Sequence, residues 1–284
     1  MAAITATTNA QILKTTYDSE FGLDPYEEAV VAGFVAKPVG MTAIGNSLVL
    51  RKVAAHTASK YTTAAGGGIP SNLTGTANTE ANVSTTLAYA YVMCELDEPG
   101  VTRLVDEGNF RTALRKQMAA AVNSQIDADL FALAASLSHT ESGADVNETM
   151  YLSGIGQLAK YAKNKFKVGQ TDVRLFVHPD ELKNAMAISA AKEYQIRGNA
   201  GTAATGQLVT TFGLKIEESG NVYSTAGSAY NPLILKDAWA IGYNRTPSAL
   251  PEQQDGIVTR FIFRAEYGVC EWFDSSGVAF ITTV

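Results

Sequence analysis

The residues best suited to chemistry are few and scattered. Three histidines, His56, His139 and His178, stand in three different segments, and none sits in a His-x-x-x-His or Cys-x-x-Cys frame that would gather zinc ligands. Metal catalysis is not supported. A Gly-x-Ser-x-Gly elbow and a Gly-x-x-x-x-Gly-Lys-Ser/Thr loop are both absent, and Gly66-Gly67-Gly68 leads into Ile69-Pro70 instead of a helix start. No nucleophile or phosphate cradle is expected, and no cofactor. Asp127 and Asp129 could be imagined as an acid pair, but residues two apart on a helix point in different directions, so they read as polar contacts. His178-Pro179-Asp180 reads as a helix start, with proline at the first helical position and Asp180 and Glu181 in a first turn that the macrodipole favours. Cys94 and Cys270 each lie in an apolar run, far apart, and are expected as buried, reduced thiols. The chain is expected to have no catalytic turnover.

The elements that carry these residues are more telling. Phe110, Leu114, Met118, Val122, Ile126, Leu130, Leu133 and Leu137 recur at steps of three or four and hold one helical face. The spacing predicts a single rod over Asn109 to Leu137, about 43 Å long at ~1.5 Å per residue. Arg111, Arg115, Lys116, Gln117, Asn123, Gln125, Asp127 and Asp129 mark the opposite side, suited to water or a polar neighbour.

Before the rod, residues 1 to about 15 are rich in Thr and Ala, show no periodic apolar face and read as an extended arm. A helix is expected over Asp24 to Val35, with Asp24 as cap and Pro25 in its first turn. Strands are expected over Ser47 to Val53 and Val83 to Leu96, joined by a Gly-, Ser- and Thr-rich tip from Ala54 to Asn82 that cannot build a core of its own. Such a hairpin needs a neighbour. After the rod come a helix near Met150 to Lys165, a strand over Asp172 to Val177, a helix opened by Pro179 that carries Leu182, Met186 and Ala190, and a small-residue loop over Gly198 to Gly206. The return through Gly213, Gly220 and Gly227 is turn-rich, and Pro232 to Tyr243 and Val278 to Val284 read as strands. In the strand from Ile257 to Tyr267, alternation sets Thr259, Phe261, Phe263 and Ala265 on one face. Arg260, Ile262, Arg264 and Glu266 take the other, which must meet solvent or a complementary partner.

With 284 residues, 46% hydrophobic and only 18% charged, the chain can bury a substantial core under a weakly charged surface. The net charge of −6 argues against gripping nucleic acid through neutralised phosphates. No window resembles an export signal or a membrane span, and no repeat is visible.

The order of arm, short helix, hairpin, spine helix, α/β unit and C-terminal strands resembles the major capsid proteins of tailed phages with the Hong Kong 97 fold. The resemblance rests on Cys94-Glu95-Leu96-Asp97-Glu98, on Leu114 to Ala121 with Gln125 to Leu130, on Phe176 to Leu182, and on Phe212-Gly213-Leu214-Lys215-Ile216. It implies an α+β chain divided into an arm and short helix (1–46), an E-loop (47–96), a P-domain spine (97–148), an A-domain (149–230) and C-terminal strands shared by the P- and A-domains (231–284). It further implies pentamers and hexamers closing into an icosahedral shell around double-stranded DNA, without strong specific binding to it, in a virion assembled in the bacterial host cytoplasm. A portal and a separate scaffolding protein would be its partners, with a decoration protein as a possible further one. Candidate inter-subunit contacts are Arg51, Lys52, Lys60, Tyr61, Arg111, Arg115, Arg260, Arg264 and Glu266. Some members join a loop Lys to an Asn covalently; Lys52 and Lys60 lie in the projecting loop, but no motif marks an acceptor. The rivals are an encapsulin-type shell around enzymes and, from another class, an α/β hydrolase lacking a recognisable motif.

Overall fold

In the computed structural model, which describes residues 29–38, 42–44, 46–53, 80–97, 107–166, 172–186, 214–256 and 258–283, the apolar stripe organises everything else. Helix α1 (Val31–Phe34) packs across helix α2 (Glu107–Ala132), the spine. Met118, Val122, Ile126 and Leu130 of the stripe are buried. The rod stops short of Leu137: its last turn tightens into a 3₁₀ helix over Leu133–Ser136. There the Ser136 hydroxyl lies 2.7 Å from the Leu133 carbonyl and 2.9 Å from the Glu271 carboxylate, a local side-chain bond that competes with helix continuation.

Strands β1 (Thr42–Ile44), β2 (Ser47–Val53) and β3 (Glu80–Thr86) form an antiparallel sheet. The expected hairpin is present, but its second strand begins at Glu80 and breaks at Leu87, whose N–H closes the hairpin base on the Asn46 carbonyl at 3.0 Å. The continuation, β4 (Ala88–Asp97), leaves for another sheet. The first 26 residues of the expected tip, 54–79, lie outside the described residues, as do the arm and the loop over 198–206.

Further along come β5 (Thr140–Ser142), α3 (Glu148–Tyr161), β6 (Val173–Val177), α4 (Leu182–Met186), β7 (Lys215–Glu218), β8 (Ser224–Thr225), β9 (Ser228–Leu235), β10 (Trp239–Ala249), β11 (Gln253–Asp255), β12 (Val258–Glu271) and β13 (Gly277–Thr283). Asn147 caps α3 by accepting the Met150 N–H at 3.0 Å, and a separate 3₁₀ turn over Lys163–Lys165 replaces the expected last helical turn. Pro179 opens a 3₁₀ turn, Pro179–Glu181, that runs directly into α4, while Ala190 is outside the described residues.

The expected strand Pro232 to Tyr243 is two strands. Its apolar run is cut by the turn at Lys236-Asp237-Ala238, where the Ala238 N–H returns to the Leu235 carbonyl at 2.9 Å, and the halves enter different sheets. One is six-stranded, in the order β5-β13-β9-β6-β7 with β8 beside β9; the other joins β10, β11 and β4 to the long β12. In the six-stranded sheet alternate residues serve opposite cores. Phe176, Ile234 and Ala279 face the spine, and Leu175, Leu233, Val278 and Phe280 face α3. Gly154 of α3 lies so close to β13 that a Cβ there would run into the Phe280 ring, which sets the helix against the sheet.

Candidate functional site

One face of the four-stranded sheet is covered by the spine; the other is covered at its Ala240–Cys270 end by Leu50 of β2 and Val83 of β3 and exposed at its Tyr89–Tyr91 end. β12 keeps the expected alternation, with Thr259, Phe261, Ala265 and Tyr267 buried on the inner side and Phe263 packed against the core. Met118 and Leu96 meet Phe261 beneath the spine. Because directly opposed residues of an antiparallel pair share a face, the register of β4 on β12 puts Tyr89 beside Glu266, Tyr91 beside Arg264, Met93 beside Ile262 and Glu95 beside Arg260 on the outer side. Tyr89 and Tyr91 are 49% and 60% exposed, their rings 6.0 Å apart, a large aromatic surface to leave in water.

The charged residues singled out from the sequence are placed as follows. Arg260 holds Glu95 at 2.8 Å and Asp255 at 3.1 Å, and these carboxylates raise its pKa further, the hydrogen bond to Glu95 first. Arg264 donates to the Tyr89 hydroxyl at 3.1 Å. Glu266 accepts from Asn244 at 2.9 Å and faces Arg245 at 3.6 Å. On the spine, Arg111 and Arg115 converge on Glu252, the latter at 2.6 Å. The structure thus brings Arg260, Arg264 and Glu266 onto one surface and Arg111 with Arg115 onto another, each with a partner inside the chain. Arg51 and Lys52 stand on β2 opposite Asn82 and Ala81, and Lys60 and Tyr61 lie outside the described residues.

The spine also holds a site whose depth the sequence reading did not show. Asp127, read as a polar contact on the side suited to water or a polar neighbour, is completely buried, and its carboxylate accepts the backbone N–H groups of Val30, Val31 and Ala32 at 2.5, 3.2 and 2.8 Å. It is the cap that α1 lacks in its own sequence. Helix α1 accordingly begins at Val31, with Ala29 and Val30 non-helical, and 24–28 lie outside the described residues. The signal was present: Asp127, Phe131 and Ala134 form a row at steps of four and three beside the main stripe, and all three are buried. Asp129 points elsewhere, accepting the Tyr267 hydroxyl at 2.5 Å. Burial, then that bond, then the Asp129 charge raise the Tyr267 pKa. Across the ladder, burial and then the Asp127 charge raise that of Tyr243.

His139 stacks on Tyr161 at 3.8 Å while His178 lies 3.3 Å from the Asp180 carboxylate, so these two remain apart; His56 is outside the described residues. Among the described residues no three His, Cys, Asp or Glu side chains gather to hold a metal, and no helix is long and apolar enough to cross a membrane. Both cysteines are free; burial pushes the Cys270 thiol up to about 11 and, with the Glu95 charge, raises that of Cys94. The arrangement offers contact surfaces.

No family model and no curated protein match the chain. Solved structures do, over almost its whole length. A chain from Mycobacterium phage Che8 is 18% identical, with 93% of this chain and 95% of that one covered at a TM-score of 0.70. A chain from the capsid of Cyanophage P-SCSP1u is 14% identical, covering 94% and 92% at 0.69. One from the capsid of Ralstonia phage GP4 is only 8% identical, yet covers 95% and 94% at 0.71. This chain has a phage capsid fold.

Proposed function

We propose that this chain is the major capsid protein of a tailed double-stranded DNA phage, and that copies of it assemble as pentamers and hexamers into the icosahedral head. The observation that carries the reading is the match to phage capsid structures along nearly the full length of both chains. In Hong Kong 97 terms, the hairpin and the strand that follows it (47–96) are the E-loop, the spine (97–148) with part of the C-terminal strands (231–284) is the P-domain, and 149–230 is the A-domain. Assembly, in the bacterial cytoplasm with a portal, a separate scaffolding protein and a possible decoration protein, replaces catalysis as the mechanism. Modest contacts from each subunit, summed over a closed shell, make it stable while single steps stay reversible. The −6 net charge suits a wall that must release its genome.

The test is particle content. Native particles rich in this chain should be polyhedral by electron microscopy and hold nuclease-protected double-stranded DNA. A chain that is only ever monomeric, or shells filled with one enzyme, would overturn the reading.

A further inference from the structure

The hairpin of β2 and β3 is joined to the body by the chain at Leu87, which belongs to neither β3 nor β4, and by a patch of contact on the outer face of the four-stranded sheet. That patch is laid in small residues. The β10–β12 register puts Ala240 beside Cys270 and Gly242 beside Gly268, four neighbours with no large side chain among them. Leu50 and Val83 of the hairpin cover Ala240 and Cys270, with Trp272 packed alongside. Leu48 and Thr85, directly opposed across β2 and β3, sit on Gly268. A Cβ at Gly268 would lie 2.7 Å from the Thr85 methyl carbon and 2.9 Å from Leu48 Cδ1, too near for either. The Thr85 hydroxyl donates to the Val269 carbonyl at 2.7 Å, so the residue that fills the space over Gly268 is also pinned beside it.

The seat lies near the pivot, and the hairpin is a lever. Thr85 is two residues from Leu87 and Glu80 seven, about 7 and 23 Å along an extended strand. A methyl added at Gly268 requires Thr85 to withdraw by about 1 Å to reach ordinary contact. Thr85 is β-branched and cannot turn its methyl aside without giving up the Val269 bond, so the backbone must give. A tilt about Leu87 that clears 1 Å at Thr85 carries Glu80 and its partner Val53 through roughly 3 Å. Apolar cover alone would tolerate such a slide. A branched side chain packed closely on a glycine, with a directional bond alongside, does not.

We propose that Gly268 and Thr85 are positioning residues for assembly: their contact fixes the angle at which the hairpin leaves the body, and thereby the curvature of the shell. The inference rests on the reading of this chain as a shell subunit. A two-stranded hairpin is marginal in water and needs a neighbour. Once it lies on one, its angle to its own body becomes an angle between subunits. A closed shell of one size repeats that angle at every copy, and an error of a few degrees at each contact accumulates into a different radius or an open sheet. Gly268 supplies the depth of the seat and Thr85 its lock.

The experiment measures particle diameter, by electron microscopy, for shells assembled from Gly268→Ala, from Thr85→Ser and from the double variant. Gly268→Ala should give shells of shifted diameter, or a spread of diameters about twofold or more that of the unsubstituted chain. Thr85→Ser keeps the hydroxyl and lacks the methyl, so alone it should leave the diameter unchanged. In the Gly268→Ala background it removes the 2.7 Å clash and should bring back the original diameter. A merely structural glycine would lower the yield and the urea midpoint and leave the diameter of the surviving shells alone. That outcome, or no rescue by Thr85→Ser, overturns the positioning role and leaves the shell reading standing. If Gly268→Ala does not fold, Thr85→Val decides: it keeps the shape, loses the bond to Val269 and should broaden the diameters likewise, and a normal distribution overturns the role. An unsubstituted chain that makes no particles overturns the shell reading and this role with it.

Discussion

In the six-stranded sheet, β6, β9 and β13 are buried on both faces, with Leu175, Phe176, Leu233, Ile234, Val278 and Phe280 all inaccessible; in the four-stranded sheet, one face rests on the spine, while the other is covered by the hairpin only at Ala240 and Cys270 and shows Tyr89, Tyr91 and part of Arg264 to solvent. The first sheet completes its packing within the chain and should carry most of the stability of a single subunit. The second stops half-finished. A shell subunit needs both, one part that is settled before assembly and one that is settled by it.

The sharpest way to break this contrast is to cut the double-sided sheet at its centre. Phe280→Ala leaves a cavity under Gly154 and Leu233, where close packing prevents collapse, and should lower the unfolding free energy of the unassembled chain by about 3–5 kcal/mol. Urea titration followed by circular dichroism measures it. A loss under ~1 kcal/mol would mean that this sheet is not the settled part.

Next in size is the cap between spine and α1. Asp127→Ala strands the buried N–H groups of Val31 and Ala32 and the partly buried one of Val30 and should cost about 3 kcal/mol, whereas Asp127→Asn keeps one acceptor oxygen and should cost about half as much. The same titration ranks the two, and equal costs would show that the carboxylate is not the cap.

These two sites also separate what the sequence reveals from what it conceals. The limits of β2 and the alternation of β12 were legible because burial there follows a strict period that side-chain polarity reports. The spine was legible for the same reason. The burial of Asp127 was not, since an acid on a helix reads as a contact with water or with any polar neighbour until its partners, backbone amides about a hundred residues away, are known. The split of Pro232 to Tyr243 was concealed by a continuous apolar run in which only Lys236-Asp237 signals the change of sheet. Of the charged contact candidates, sequence could show that Arg260, Arg264 and Glu266 share a face, but not that each already has a partner across the strands. The hairpin's seat on Gly268 was invisible, since nothing in the run of β12 says which distant strand lies over it.

Alkaline titration sharpens the contrast by a smaller amount. Cys270 and the Tyr151, Tyr243 and Tyr267 hydroxyls all have raised pKa values, chiefly through burial. The unfolded chain therefore releases these protons at lower pH than the folded one, so stability is full below about pH 9 and falls as pH rises beyond it. Cys270 alone, moved from 9.0 to about 11, accounts for about 2–3 kcal/mol by pH 11. Cys270→Ala should flatten the fall between pH 9 and 11 in urea titrations, and an unchanged slope would place that thiol in contact with water.

The smallest expected effect on the single chain falls on the open face. Tyr91→Ser removes a ring that is 60% exposed and touches mainly Tyr89, so the unassembled chain should lose no more than about 0.5 kcal/mol. If that face is finished by a neighbour, the same ring becomes buried on assembly, and its loss is then felt at every copy of the contact. Shell yield should fall by an order of magnitude or more, or the critical concentration for assembly rise to match, while the urea midpoint of the monomer stays in place. Arg264→Ala, which frees the Tyr89 hydroxyl but leaves both rings, should fall between Tyr91→Ser and the unsubstituted chain in assembly. Normal assembly by Tyr91→Ser would mean that the tyrosine pair faces water in the shell, and the two sheets would then differ in covering without differing in role.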